Sequence, residues 1–563
     1  MASTSIRARN LAAAISMALA SAGMHAATIT VDSADDDPAS MACNLRGALK
    51  AINNGSTLAV PACSAAVSGD SFGIDDTIVL AGLSPITLTQ GALTVTASSV
   101  TIDGSGTIPP SGAAPTAADF YQPYQVIDAA GGSRVLGVAD GVTLSANSLM
   151  LTGGQTTGNG GGISIGTGAT VTLNNCSISS NVTTAEGGAI YAAPSSTLKL
   201  VDSIVSGNAS FAGGALFAND STVTVTNTSI AYNEANYGGG VYSLSGALNL
   251  EKASIYGNTG RTYTGGVFVI NAALTMANSR VFANSGGRAG GMFLSGASGT
   301  LTTSTIDGNT AKCFFACGGA MLLDNSMLAV TGSTFSGNLA AGLTTFVTGG
   351  VNLFGSTATF VNSTISGNVG AGRDSASGAF SQDHLGGNTS LTLINTTVTH
   401  NTAAAVYGTA VGGVLIATPG LSPPPLGYDT FTAQNTVISG NAPADKEVVF
   451  DEFSTSLAVQ YSLLGSTLNT SAFNDPANHN IFSDSPGLGP LDDNGGPTKT
   501  HALLPGSPAL SAGSTALAMF SGQPLNFDQR GPDFLRIVGG AVDIGAFEDQ
   551  TDQLFADGFE SEP

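Results

Sequence analysis

The sequence contains no tryptophan and few cations, and these absences exclude several functions at the outset. Its 563 residues include 16 lysines and arginines against 38 aspartates and glutamates, which gives a net charge of −22 at pH 7. So few cations cannot line a groove that follows a phosphate backbone, and we expect no nucleic-acid partner. No stretch after residue 26 is apolar for long enough to form a membrane helix, so we expect no transmembrane segment in the mature chain.

The first 26 residues have the pattern of a secretory signal peptide. Arg7 and Arg9 precede a short apolar run over residues 11–20, and small residues follow, with cleavage predicted after Ala22 or Ala26. The run is too short to span a bilayer. We therefore expect the mature protein to be exported, either secreted or held at a cell surface.

Glycine is abundant where charge is scarce. The chain has 75 glycines, about twice the usual share, and 10% charged residues, far below the usual quarter. Apolar residues are plentiful and many are β-branched, which argues against disorder. This composition predicts many short strands joined by tight turns.

A short phrase recurs along the chain: an apolar residue, two small or polar residues, and asparagine. The spacings between successive asparagines are 27, 25, 25, 26, 25, 29, 30, 33 and 40, so the later repeats carry longer loops. The asparagines of the ten copies are Asn181, Asn208, Asn233, Asn258, Asn284, Asn309, Asn338, Asn368, Asn401 and Asn441. The apolar residues three positions earlier are Ile178, Val205, Ile230, Ile255, Val281, Ile306, Phe335, Ile365, Val398 and Ile438.

Most copies are followed by Gly-Gly, an apolar strand, and a stretch in which apolar and polar residues alternate with a period of two. A helical repeat would need apolar spacings of three and four. Three short strands and three turns fill about 25 residues, and such a coil can bury its apolar side only by stacking on equivalent coils. The sequence therefore predicts an all-β fold, a right-handed parallel β-helix with three strands in each coil.

Stacking places equivalent residues in columns along the axis of the solenoid. We expect the apolar column to lie inside, and the asparagine column to form a ladder at a turn, where asparagine tolerates left-handed backbone. The asparagines could instead bind a ligand, but buried amides need partners and a ladder supplies them. We interpret this column as structural.

Five cysteines are present, and export permits disulfides. We expect Cys43 to pair with Cys63 near the N terminus, and Cys313 to pair with Cys317 within one coil. Cys176 is left over and is expected to be a small, buried, apolar residue.

A solenoid needs capped ends, because an open end would pair with other strands. Leu45, Ala48, Leu49 and Ile52 have the spacing of one apolar helical face. We expect a short helix here that closes the N-terminal end of the core.

An acidic group precedes this helix. The carboxylates of Asp32, Asp35, Asp36 and Asp37 could bind Ca²⁺. Their spacing matches no complete calcium loop, so we favour a solvated loop at this point. No other cofactor is expected.

Two parts of the chain resemble known families. The sequence over 43–48, Cys-Asn-Leu-Arg-Gly-Ala, is similar to the CSLREA region at the start of many bacterial surface β-helix proteins, and two positions differ. Residues 486–498, 504–509, 528–531 and 542–548 together resemble the choice-of-anchor Q family. The repeats resemble those of polymorphic outer-membrane proteins and of pectate-lyase-like β-helices. The choice-of-anchor Q resemblance implies an extracellular protein linked to the bacterial surface, with no general assigned activity.

These observations divide the chain into five parts. Residues 1–26 form the signal peptide, 27–75 the N-terminal cap, 76–445 the parallel β-helix, 446–548 the C-terminal coils and the section similar to choice-of-anchor Q, and 549–563 a tail. All ten copies of the repeat fall within the third part.

Motifs for polysaccharide cleavage are scarce, although proteins with this fold often act on acidic polysaccharides. A polygalacturonase-like site needs paired carboxylates with Gly-His-Gly, and none of the five histidines lies in that motif. A pectate-lyase-like site needs clustered acids and cations, and the nearest group of cations is Arg261, Arg280 and Arg288. We expect Arg530, near the C terminus, to bond carboxylates such as Asp528 or Asp543 rather than a substrate.

Two series of aromatic residues follow the repeat. One series lies within the strand after Gly-Gly, where we expect an interior stack: Tyr191, Phe217, Tyr242, Phe268 and Phe293. The other lies in the loop before Gly-Gly, with an arginine at its end: Phe211, Tyr237, Tyr263 and Arg288. The loop residues either face outward, where their rings can stack on sugars, or pack on the coil below, and both arrangements stay open.

The sequence predicts a non-catalytic extracellular protein, adhesin-like or matrix-binding, whose partner is a glycan or a host or matrix surface. The loop aromatics and Arg288 are the candidates for binding an extended anionic glycan. The alternative is a polysaccharide lyase or glycoside hydrolase on the same scaffold. A cleft with convergent carboxylates and cations would distinguish the two.

Overall fold

The computed structural model describes most of the chain after residue 25. The described residues are 26–69, 71–80, 82–104, 124–313, 316–343, 346–383, 387–416, 429–444, 446–450, 455–468 and 470–551. The predicted signal peptide, apart from its last residue, and residues 552–563 of the predicted tail lie outside them.

Apolar and polar residues alternate within short strands, and the strands stack in parallel into one long solenoid. One face, called the narrow sheet, takes one strand from each coil. Its 15 strands are Ile86–Thr87, Gln125–Asp128, Leu149–Thr152, Ser177–Ser179, Ile204–Ser206, Ser229–Ala231, Ser254–Tyr256, Arg280–Phe282, Thr305–Asp307, Thr334–Ser336, Thr364–Ser366, Thr397–Thr399, Val437–Ile438, Leu463–Leu464 and Ile481–Phe482. All of these pairings are parallel, so equivalent positions of successive coils lie beside each other.

The other main face, called the wide sheet, takes two strands from most coils. Its 27 strands are Ala27–Thr30, Val67–Gly69, Asp76–Val79, Leu93–Val95, Ser99–Asp103, Leu136–Val138, Thr143–Asn147, Ile163–Ile165, Thr170–Asn174, Ile190–Ala192, Thr197–Val201, Leu216–Thr226, Val241–Glu251, Val267–Ile270, Ala273–Ala277, Met292–Ser295, Ser298–Thr302, Met321–Asp324, Met327–Thr331, Val351–Phe354, Thr357–Val361, Phe380–Asp383, Ser390–Ile394, Val414–Ile416, Asp429–Gln434, Val448–Val449 and Thr455–Gln460. In the coils of Leu216–Thr226 and Val241–Glu251 the two strands join into one.

Short strands line the side between the narrow and wide sheets, after the asparagine turn. They are Gln155–Thr156, Val182–Thr183, Glu234–Ala235, Thr259–Gly260, Ser285–Gly286, Thr310–Ala311, Leu339–Ala341, Val369–Gly372 and Thr402–Ala405, with a second row at Cys317–Gly318, Val347–Thr348, Ser375–Ser377 and Thr409–Val411. Glycine is required where this side meets the wide sheet, because a Cβ on Gly214 would lie 2.2 Å from the carbonyl oxygen of Gly239. The Gly-Gly phrase thus marks close contact between coils.

The two predicted columns are present. Each residue of the apolar column is at most 1% exposed and lies in the main core, which confirms the predicted interior position. The asparagine side chains form a continuous ladder in which each Nδ2 donates to the Oδ1 of the next asparagine at 2.8 to 3.0 Å. The ladder ends on a carboxylate, because Asn441 Nδ2 donates to Glu447 Oε2 at 3.0 Å. These amides are thus satisfied by one another.

A short helix closes the N-terminal end, as predicted. It spans Leu45–Asn54 and buries Leu45, Ala48, Leu49 and Ile52 against the first coils. Asn44 caps it, since its side chain accepts a hydrogen bond from Gly47 N at 2.8 Å.

Both predicted disulfides are present. One joins Cys43 to Cys63 beside the capping helix, and the other joins Cys313 to Cys317. Cys176 is free and fully buried, and burial raises the pKa of its thiol to about 12. It serves as a core residue.

Residues 486–551, called the C-terminal section, turn back along the outer face of the narrow sheet. The section contains two antiparallel hairpins, Leu488–Asp492 with Thr500–Leu503 and Met519–Phe520 with Gln523–Pro524. The section therefore covers several coils instead of extending the solenoid.

Across the chain, short 3-10 turns occur at Pro61–Ala66, Ser466–Leu468, Pro476–Asn478 and Thr515–Leu517. No helix within the described residues is long and apolar enough to cross a membrane.

Candidate ligand-binding surface

The aromatic series after Gly-Gly lies on the outer face of the wide sheet, and the expectation of an interior stack is wrong. In the strand Ile190–Ala192 the two end residues are fully buried in the main core, so the side chain of Tyr191 between them points outward. The same position in later coils holds Phe217, Tyr242, Phe268 and Phe293. Phe268 and Phe293 belong to a separate apolar cluster outside the main core. The period of two was visible in the sequence, but the choice of face was not.

These five rings form a row along the solenoid axis. Successive ring centroids are 5.8, 4.8, 4.9 and 4.9 Å apart, because parallel pairing sets the spacing of equivalent residues. Adjacent rings are near-parallel except for Tyr242 and Phe268, which meet edge to face. We call this series the strand row.

The loop aromatics form a second row that packs against the first. Ring centroids are 5.3 Å apart between Phe211 and Tyr237, and 4.9 Å between Tyr237 and Tyr263. The ring of Tyr263 also stacks on Phe268 at 5.6 Å and on Phe293 at 6.2 Å. Both arrangements that the sequence left open are therefore present, since these rings pack on those of the neighbouring coils while Phe211 stays exposed to solvent. We call the two rows together the aromatic wall.

Exposure varies along the aromatic wall. Phe217, Phe268 and Phe293 are at most 3% exposed, whereas Phe211 is 49% exposed. The tyrosines of both rows are half-buried. Phenylalanine thus occupies most covered positions, and tyrosine occupies positions where a hydroxyl can reach water.

Arg288 ends the loop row with a positive charge. Its guanidinium carbon lies 5.6 Å from the centre of the Tyr263 ring and 5.2 Å from that of Phe293. The Nε donates to the carbonyl oxygen of Ala316 at 3.5 Å. Among the ion pairs of the described residues none involves Arg288, so this cation can meet an anionic group that approaches the wall.

Glu186 lies at the end of the aromatic wall opposite Arg288, and no pattern in the sequence pointed to it. It pairs with Ala212, which in turn pairs with Tyr237 in the next coil, so Glu186 shares a column with the loop row. Burial raises the pKa of Glu186, and the side chain of Asn159, which donates to it at 3.3 Å, opposes that shift. Burial and then the charge of Glu186 raise the pKa of Tyr242. A half-buried carboxyl group with a raised pKa therefore stands beside the rings.

A shallow polar cavity of about 220 Å³ lies on the other side of the loop row. Its lining includes Thr183, Ser210, Glu234, Asn236 and Arg261. Arg261 and Glu234 form an ion pair that is well exposed, and such pairs contribute little to stability. Donors and acceptors here suit hydroxyl groups of a ligand that extends past the rings.

Arg261, Arg280 and Arg288, the group of cations that lie closest together in the sequence of the coils, do not form one cluster. Arg261 lines the polar cavity, Arg288 ends the loop row, and Arg280 lies on the outer face of the narrow sheet. There Arg280 makes two bonds to Asp307, at 2.8 and 2.6 Å, and covers the ring of Phe282. A cation cluster of the pectate-lyase type is therefore not assembled from these residues.

Another row of rings lies on the narrow sheet. Its members are Tyr232, Tyr256 and Phe282, with centroids 5.4 and 4.8 Å apart. Tyr232 is 62% exposed. This narrow-sheet row has the same residue types as the loop row, and it offers a matched control.

The four aspartates proposed for Ca²⁺ do not converge on one point. Arg46 holds Asp36 through two bonds, and Asp36 also accepts from the backbone of residues 89–90. Asp35 accepts from serine and asparagine side chains, while Asp32 and Asp37 are exposed. The described residues contain no group of histidine, cysteine, aspartate or glutamate that could hold a metal ion. The structure assigns Asp36 to fixing the N-terminal cap instead.

The expected role of Arg530 is confirmed. Its guanidinium bonds Asp528 at 2.6 and 3.0 Å and lies between the rings of Phe534 and Phe547, each 3.8 Å away. Because this group is buried within the C-terminal section, it is unavailable to a substrate.

Comparisons with known proteins agree with the architecture. A family model described as a right handed beta helix region matches residues 132–266 and 161–335. A mutant of DFA-IIIase from Arthrobacter chlorophenolicus A6, solved in complex with DFA-III, aligns over 76% of this chain and 95% of its own, with 12% identity and a TM-score of 0.34. Pectate lyase Pel9A aligns over 92% of this chain and 96% of its own, with 14% identity and a TM-score of 0.26. No curated protein matches the chain. At these scores the two solved structures carry no argument for or against an activity of this chain, and the family model supports a right-handed parallel β-helix protein.

Proposed function

We propose that this chain is an exported β-helix protein that binds an extended glycan along the aromatic wall. The observation that carries the proposal is the contact between two rows of rings on the outer surface, one of which ends on Arg288. Most outward positions of a solenoid hold polar residues, so a continuous series of rings requires a reason beyond stacking.

Aromatic rings suit sugars because the C–H groups on one face of a pyranose pack on the face of a ring. The half-buried rings of Tyr191 and Tyr242 and the exposed ring of Phe211 offer such contacts along the axis. A repeating polymer matches a repeating surface, since each coil presents the same group at nearly constant spacing. The polar cavity beside the loop row supplies hydrogen bonds to hydroxyl groups.

Arg288 favours an anionic polymer over a neutral one. A carboxylate near this guanidinium would gain a charge-assisted hydrogen bond where the rings already exclude part of the water. The strongly acidic remainder of the protein repels polyanions, so binding to a polyuronate should strengthen as salt rises to moderate concentration.

The test compares two triple variants by affinity electrophoresis in gels that contain polygalacturonate or a neutral β-glucan. Phe211→Ala, Tyr237→Ala and Tyr263→Ala together should abolish the retardation that the parent shows. The control removes the narrow-sheet row, Tyr232→Ala, Tyr256→Ala and Phe282→Ala, and should leave retardation unchanged. Equal retardation of the parent and the loop-row variant, with both folded by circular dichroism, would refute the proposal.

Polysaccharide cleavage is a second candidate function, and Glu186 favours it. A general acid must hold its proton near the working pH, and burial moves the pKa of Glu186 upward at one end of the wall. The parent would then release unsaturated uronate or new reducing ends from a bound polymer. Glu186→Gln should abolish release while binding persists, and loss of binding together with release would assign Glu186 to binding alone.

We propose that residues 1–26 direct export and that the protein acts outside the cell or on its outer surface, as the resemblance to the CSLREA and choice-of-anchor Q families implies. An adhesin-like or matrix-binding role is one use of a glycan-binding wall. Fractionation of the producing cells, with immunodetection of the protein, tests this location.

A further inference from the structure

The C-terminal section binds the narrow sheet through polar contacts spread over several coils. Thr498 Oγ1 donates to Gly332 O at 2.9 Å, and Thr364 Oγ1 donates to Gln529 Oε1 at 2.6 Å. Two coils further on, Ser514 N donates to Asn435 Oδ1 at 2.8 Å. A small apolar cluster of Val437, Leu463, Ala509 and Ile544 adds to these contacts. Docking therefore rests on hydrogen bonds spread from the coil of Gly332 to that of Asn435, together with this apolar contact.

One of these bonds involves a histidine in a defined protonation state. His501 lies in the hairpin strand Thr500–Leu503, and only 3% of it is exposed. Its Nδ1 lies 2.7 Å from the carbonyl oxygen of Gly489, and its Nε2 lies 2.8 Å from Ser366 Oγ. Because a carbonyl oxygen can only accept, Nδ1 carries a proton, and in the neutral imidazole Nε2 accepts from the Ser366 hydroxyl.

The surroundings of His501 disfavour a second proton. The ring of His400, at the turn after Thr399, stacks on it with centroids 5.2 Å apart. The other charged residues of the hairpin region, Asp492, Asp493 and Lys499, are exposed. Burial first, and then repulsion from His400, lower the pKa of His501 to about 4, against the opposing effect of the Gly489 carbonyl.

We propose that the His501–Ser366 contact is an acid-sensitive latch that releases the C-terminal section from the narrow sheet. A second proton, on Nε2, reverses this bond, since the Ser366 hydroxyl can accept as well as donate, and it leaves a charge in a buried interface beside His400, which disfavours the docked form. Release exposes the outer threonine and serine positions of the narrow sheet, such as Thr334, Thr364 and Ser366, which the section covers.

The lowered pKa of His501 sets the direction of the pH effect on docking. His501 has a lower pKa in the docked form than the ordinary value of 6.5 that it regains on release. Docking is therefore fully stable above pH 6.5 and weakens as the pH falls from 6.5 toward 4. Over that window the ratio of docked to released protein should fall up to about tenfold for each pH unit.

Two carboxyl groups of the section act in the opposite direction. Burial raises the pKa of Asp543, and it raises that of Glu548 to about 8. Where these groups lose their burial on release, acidification favours the docked form through them. The experiment therefore rests on the difference between the parent and a variant that lacks the imidazole.

Hydrogen–deuterium exchange with mass spectrometry measures docking in the full-length protein at pH 7.5, 6.0 and 4.5. Peptides that contain residues 498–503 and 527–530 should lose protection at pH 4.5 relative to the core peptide around Ile255, whose amides report the intrinsic effect of pH. In His501→Gln the protection of the two section peptides, relative to that core peptide, should no longer change between pH 6.0 and 4.5.

A second variant, His400→Gln, tests the latch in case His501→Gln prevents docking at every pH. His400→Gln leaves the bond from Ser366 in place and removes the repulsion, so the loss of protection at pH 4.5 should be several-fold smaller than in the parent. Unchanged protection of the parent at pH 4.5, or the same loss of protection in the parent and His400→Gln, would overturn the proposal.

Discussion

At the scale of single residues, the apolar column shows why this sequence has one register. Ile255 lies in the strand Ser254–Tyr256 and stacks between Ile230 and Val281 of the neighbouring coils. Its side chain is fully buried, and the residues beside it in the strand point outward. A shift by one residue would place the core residues in water, so the β-branched column fixes both face and register.

Replacement of Ile255 tests this position. Ile255→Asp should prevent folding or lower the melting temperature sharply, because burial of an unpaired carboxylate costs several kcal/mol, a large part of the stability of a typical domain. Ile255→Val is the matched control and should cost only about 0.5 to 1.5 kcal/mol. Thermal unfolding followed by circular dichroism measures both. An Asp variant that melts at the temperature of the parent would place Ile255 outside the core.

At the scale of structural elements, the asparagine ladder behaves as one hydrogen-bonded unit with a distinct end. All its amides donate in the same direction along the axis, so the last one, Asn441, needs an acceptor beyond itself. Glu447 takes that place, since its Oε1 accepts from Gly440 N and Asn441 N and its Oε2 from Asn441 Nδ2. Glu447 thus replaces the asparagine of a further coil. It is fully buried, with no cation partner among the described ion pairs.

The pH dependence of stability reports on this end of the ladder. Burial raises the pKa of Glu447 to about 7 despite the three donors, so the folded protein holds a proton that the unfolded chain releases near pH 4.5. Its contribution is present below pH 4.5 and is lost as the pH rises through 7, by roughly 1 kcal/mol per pH unit between these values. Glu447→Gln should flatten this part of the curve from urea unfolding. An unchanged slope would show that Glu447 does not titrate in this window.

At the scale of the whole molecule, the parts that depend on local repetition were predictable and those that depend on long-range contact were not. The spacing of the ten asparagines predicted the coils, and the apolar positions before them predicted the interior. The pairing of Cys43 with Cys63 followed from the expectation of export and from proximity in the sequence, and the structure contains this disulfide. The path of residues 486–551 did not, because its contacts, such as Thr364 with Gln529, join residues 165 positions apart.

In the candidate site too, positions set by the repeat were predictable from the sequence, and positions set by the fold were not. The sequence predicted that Phe211, Tyr237 and Tyr263 follow one another in successive coils, and their rings do so, although Ala212 rather than Phe211 pairs with Tyr237. It could not show that the strand row lies outside, because either face of the strand after Gly-Gly can take an aromatic residue. Glu186 was missed because its column holds Ala212 in the next coil, so no repeat of acidic residues marks the position.

The absence of tryptophan makes a direct measurement of the central claim available. In Phe211→Trp the single indole replaces the most exposed ring of the aromatic wall, and its fluorescence reports contact with a ligand. Titration with oligogalacturonates should shift the emission in a saturable way, while the control Tyr232→Trp on the narrow sheet should not respond. A protein that binds the oligosaccharide by calorimetry without any change in the Phe211→Trp emission would contradict the proposed binding surface.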